Sequence, residues 1–138
     1  MATTYGMGVR LVGKADEFGQ AVERVRAELR EQGFGVLTEI DMRATLADKL
    51  GEKMEPYLIL GACSPELAHR ALSIEREVGL LLPCNVAVWV DGSDVLVEAL
   101  DPRILTGVTG RAEFAPIADE AGERLSAALA GLVAGSGE

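Results

Sequence analysis

Two thiols carry the chemistry this sequence suggests. Cys63 ends an apolar run in Gly61-Ala62-Cys63-Ser64-Pro65, and Cys84 follows another in Leu80-Leu81-Leu82-Pro83-Cys84-Asn85. Each stands beside a proline where a regular element begins or ends, a place that holds a side chain rigidly yet within reach of solvent. A thiolate is both a nucleophile and a ligand for soft metals. If Ser64 caps a helix with Pro65 in its first turn, Cys63 sits at the positive helix end, which favours the thiolate over its ordinary pKa of about 8.5. Cys84, next to Asn85, would then serve as a resolving thiol or a second soft ligand. Ser64, Pro65 and Asn85 are the candidate neighbours of a pocket at this point. Whether the thiols meet depends on strand direction: antiparallel strands bring the end of one beside the start of the next, and parallel strands separate them.

Against this stands the plainer role of a free cysteine as a small buried hydrophobe, and the sequence favours it. Two isolated cysteines lack the spacing of a zinc site, and His69, the only histidine, falls opposite the apolar stripe of its helix. Met54 could add a thioether for copper, but a methionine beside apolar segments more often packs. Glu39, Asp41, Asp91, Asp94 and Asp101 read as turn and surface carboxylates. The pairs Gly33-x-Gly35 and Gly107-x-x-Gly110 complete neither a dinucleotide fingerprint nor a phosphate loop. No cofactor is expected.

The elements that must position the thiols follow from pattern. Val9–Val12 reads as a first strand, and Asp16 as the N-cap of a helix carrying Phe18, Ala21, Val22, Val25 and Leu29 on one face up to Gly33. Residues 34–41 read as a strand with Phe34, Val36, Thr38 and Ile40 on one face, then a short helix capped at Asp41 with Met42, Leu46 and Leu50 before Gly51. Residues 56–62 are apolar on both faces, the mark of an interior strand, and Leu67, Ala68, Ala71, Leu72 and Ile74 form the buried stripe of the next helix. Residues 85–90 and 95–100 flank Asp91-Gly92-Ser93-Asp94 as a hairpin. Trp89 faces away from Val88 and Val90, either into the core or onto a subunit contact. A final helix begins near Pro116, with Gly122 and Gly131 permitting close packing on the sheet or across a dimer. The order β-α-β-(α)-β-α-β-β-α implies an α+β fold: a single two-layer domain over residues 9–133, with helices packed on a mixed sheet. Residues 1–8 and 134–138 are expected to be flexible ends.

Composition sets outer bounds. The chain has 138 residues, 49% hydrophobic and 25% charged, enough for one domain with a core that needs no disulfide. A net charge of −9 with no local basic cluster argues against nucleic acid and anionic lipid as partners. No apolar stretch is long enough for a membrane span, and the first residues lack the pattern of an export signal, so a cytoplasmic location is the expectation.

Four segments, in order, are similar to a known family: residues 33–41, residues 57–68, residues 80–86 and Asp101-Pro102. They resemble the domain of unknown function 302 family over about residues 9–133, with Ser64 where that family's pattern leads one to expect Asn. The resemblance implies a small prokaryotic α/β domain, a homodimer, and no established reaction. The favoured function is a dimeric noncatalytic binding or accessory module, able to take a small-molecule ligand where the interior strand meets the Cys63 helix. The alternative is a thiol-dependent protein of sulfur transfer, redox or soft-metal handling, using Cys63 and Cys84.

Overall fold

The computed structural model describes residues 1–135. Five strands, β1 (Gly6–Leu11), β2 (Gly35–Asp41), β3 (Tyr57–Cys63), β4 (Cys84–Asp91) and β5 (Asp94–Leu100), form one sheet in the order β1-β5-β4-β3-β2. All four ladders are antiparallel, so the α+β sheet is antiparallel where a mixed one was expected. The reason is connectivity. β1 and β2 run in the same direction but lie on opposite edges, so the one long crossover joins strands that never pair.

The helices are α1 (Phe18–Glu31), α2 (Met42–Leu50), α3 (Pro65–Ile74), α4 (Ile104–Thr109) and α5 (Ala115–Ala134). Ala21, Val22, Val25 and Leu29 of α1 are buried, and α5 buries Leu125, Leu129 and Leu132 on the same side of the sheet. They close over Leu60, Val88 and Val97, each fully inaccessible to solvent. Fully burying a side chain of this kind contributes about 1.5–3 kcal/mol, so this face holds the core. Gly33, at φ 85°, ends α1, with its N–H donating to the Arg30 carbonyl and that of Phe34 to Leu29. This double bond requires a left-handed residue. Among the described residues no helix is long and apolar enough to cross a membrane.

Four local expectations shift. β1 begins at Gly6 and so takes in residues assigned above to the end segment; the Gly8 N–H donates to the Met1 carbonyl. Asp16 lies in a single 3-10 turn, Ala15–Glu17, and no side chain caps α1. The stretch after Pro102 contains α4, which Gly107 obscured. In β2 the pairing slips between Val36, opposite Ala62, and Thr38, opposite Gly61. Leu37 is the extra residue of a bulge, so Val36 and Thr38 point to opposite faces. Residues 136–138 of the expected flexible end lie outside the described residues.

The sheet's second face is covered on one side only. Met42 and Leu46 of α2 share a cavity with Met54, Tyr57 and Ile59, and the last two alternate along β3 with the core-facing Leu58 and Leu60. Asp41 caps α2 by accepting from the Ala44 N–H at 2.9 Å, and Gly51 ends it at φ 68°.

Candidate functional site

β3 and β4 place the two thiols. β3 ends at Cys63, where Ser64 turns the chain into α3: its Oγ accepts from the Leu67 N–H at 3.4 Å, its carbonyl accepts from Ala68, and Pro65 occupies the first turn. Ser64 is 5% exposed, the one buried polar residue among the described residues. On the other side of the ladder, a 3-10 turn, Arg76–Leu81, leads through a cis Leu82–Pro83 peptide into Cys84. Because the strands are antiparallel, Cys84 stands opposite Ala62, the neighbour of Cys63.

Both cysteines are free, and both open onto one pocket. Its wall includes Phe34, Ser64, Leu67, Pro83, Leu105 and Ile117, and apart from Ser64 and the thiols every lining residue is apolar. The accessible volume is about 30 Å³, room for about two waters and far below the roughly 300 Å³ at which ligand pockets begin. A substrate the size of a metabolite does not fit; a small group reaching the sulfurs does. Burial pushes the Cys63 thiol up. It raises Cys84 as well, with the negative charge of Cys63 adding to the effect. Desolvation therefore opposes the thiolate that the α3 N-terminus would favour.

The candidate neighbours separate. Ser64 lines the thiol pocket, Pro65 is exposed and stands outside its wall, and Asn85 is on the opposite face of the sheet. His69 is exposed on α3, and Met54 packs under α2. Among the described residues no group of three or more His, Cys, Asp and Glu side chains stands at metal-binding distance.

The opposite face carries a second, larger feature. A shallow basin of about 370 Å³ lies over β1, β5 and β4, walled by Tyr5, Tyr57, Asn85, Trp89, Glu98 and Leu100. Tyr57 and Trp89 pair across β3 and β4 and stack with ring centroids 5.4 Å apart and planes 17° from parallel. The alternation that set Trp89 against Val88 and Val90 signalled its direction. Nothing local signalled Phe34, Leu105 or Ile117, which reach the thiol pocket from distant segments.

A comparison with curated proteins found no match. Among solved structures, the chain is similar to an uncharacterized conserved DUF302 protein from Bacillus stearothermophilus known from a crystal structure. The TM-score is 0.84 at 27% identity, covering 94% of this chain and 98% of that one. The model of the family "Domain of unknown function DUF302" matches residues 12–132. That match, over most of the chain, places it in the DUF302 family.

Proposed function

We propose that the protein is a noncatalytic binding or accessory module that works as a homodimer, its copies joined through the open sheet faces. One observation carries this reading: Tyr57, Ile59, Ala87, Trp89 and Leu96 form a row of partly exposed apolar side chains on the face that α2 only partly covers. Contiguous apolar surface of this kind marks an interaction site. The shape favours a second copy as its occupant. α2 stands over the β2–β3 half and the basin lies over the other, so a two-fold axis near β4 sets each α2 against its partner's basin, as an isologous contact requires. Pairing would also enclose the basin, which is large enough for a small organic ligand. Free thiols suit a reducing compartment such as the cytoplasm.

Trp89 is the only tryptophan and reports directly on this face. Sedimentation across a wide concentration range is expected to give a dimer, with Trp89 emission moving to the blue as dimer forms. Trp89→Glu is expected to give a folded monomer with an unchanged far-ultraviolet circular dichroism spectrum. A wild-type protein that stays monomeric, or a dimer that Trp89→Glu leaves intact, overturns the reading.

A further inference from the structure

We infer that Cys63 and Cys84 form a reactive dithiol that exchanges with low-molecular-weight disulfides, closing reversibly into a disulfide between β3 and β4. The inference is independent of what occupies the open face.

Three features of the geometry carry it. The ladder sets Cys84 opposite Ala62, so the cysteines are offset by one position on paired strands. Strands about 4.8 Å apart, rising about 3.4 Å per residue, place such Cα atoms about 6 Å apart, within the span of roughly 4.4–6.8 Å that a disulfide bridges. Residues offset by one ordinarily point to opposite faces. Here Cys63 is the last residue of β3, where Ser64 already turns the chain into α3, and both residues line the same pocket. That pocket is open enough for one arm of a small disulfide and too narrow to retain it, which favours resolution by the second thiol over a lasting adduct. The charge of Cys63 bears on Cys84, so the two sulfurs are within electrostatic reach.

The reaction balances without a metal or cofactor. Cys63 loses its proton to solvent and attacks one sulfur of RSSR; the S–S bond breaks, RS⁻ leaves and is protonated to RSH, and Cys63 carries SR as a mixed disulfide. Cys84 then loses its proton, attacks the Cys63 sulfur and expels the second RS⁻, also protonated to RSH. Two protein thiols are oxidised and one RSSR is reduced to two RSH.

The test uses the reduced full chain, folded, with hydroxyethyl disulfide and with glutathione disulfide as probes. Intact mass is expected to fall by about 2 Da, the loss of two hydrogens, with peptide mapping joining residues 63 and 84 of one chain and dithiothreitol restoring the starting mass. Cys84→Ala is expected to hold one RS group on Cys63, and Cys63→Ala to react at least tenfold more slowly than wild type. A stable adduct on the wild-type chain, a link between two chains, or reaction only after denaturation overturns the inference. The wild-type mass and peptide map decide the matter even if a variant fails to fold.

Discussion

The two faces of the β3–β4 pair differ in what covers them. On one face Leu60, Ala62, Val86 and Val88 are sealed beneath the helices, at 0–1% exposure. On the other, one position along each strand, Tyr57, Ile59, Ala87 and Trp89 remain partly exposed. All eight are apolar, so hydrophobicity alone does not distinguish the faces; the helices of the same chain do. Strands that are apolar on both sides ask for cover on both, and the shortfall on the second face is what a second copy would supply.

The sharpest way to break this contrast is to shave the same strand on each face. Leu60→Ala should cost about 3 kcal/mol, within the 2–5 typical of a buried leucine. Ile59→Ala, measured at low protein concentration, should cost about 1 kcal/mol or less, because part of its surface is already wet. Urea unfolding at two concentrations separates the cases: the Ile59 penalty should grow with concentration and the Leu60 penalty should not. Equal penalties in the dilute monomer would mean that the second face is already packed within the chain.

Gly61 is where the faces come closest to interfering. A Cβ there would collide with the Thr38 hydroxyl and approach Pro83 Cγ to 2.8 Å, and neither a β-branched side chain nor a proline ring yields easily. Gly61→Ala should therefore cost about 1–3 kcal/mol through overpacking, and Thr38→Ala in the same chain should recover part of it. A neutral Gly61→Ala in urea unfolding would show that the bulge in β2 relaxes freely.

The two helix caps sharpen the contrast at smaller scale. Ser64→Ala leaves the buried Leu67 N–H without its acceptor and should lower global stability by about 1 kcal/mol. Asp41→Ala removes the equivalent bond from α2, which buries no residue completely. Its cost should be nearer 0.5 kcal/mol and appear as faster amide exchange confined to α2. Hydrogen exchange read by mass spectrometry distinguishes local from global opening.

Element order was legible because its signals are local. Ser64-Pro65, Asp41 with Gly51, and the Asp91-Gly92 turn each announce a boundary through the hydrogen bonds they make, and the structure contains all three. What escaped depends on partners distant in sequence. Strand direction, which decides whether Cys63 and Cys84 meet, comes from the order of strands in the sheet. The face of Thr38 comes from a bulge that the alternation of residues 34–40 conceals. Asn85 follows Cys84 in sequence, yet the pleat sends it to the other side, so adjacency misassigned it to the thiol pocket. α4 was hidden because Gly107 and two threonines are poor helix formers that the contact of Leu105 with the core overrides.

The smallest effect tests the closed side through protons. Burial raises both thiols above their ordinary range, so the folded chain holds these protons more tightly than the unfolded one. Below the ordinary thiol pKa of about 8.5 both states are protonated and the contribution is fully present. As pH rises past that value the unfolded chain deprotonates first, and stability falls until the raised folded pKa is passed. Urea midpoints from about pH 7 to 10 should therefore decline, and the decline should be shallower in both Cys84→Ala and Cys63→Ala than in wild type. Subtracting variant from wild type cancels the lysine and tyrosine titrations that share the window. Oxidation to the Cys63–Cys84 disulfide removes both thiol titrations at once, so the oxidised wild type should reproduce the flatter profile of the double variant. A steep alkaline decline that survives both substitutions would place the pH sensitivity elsewhere.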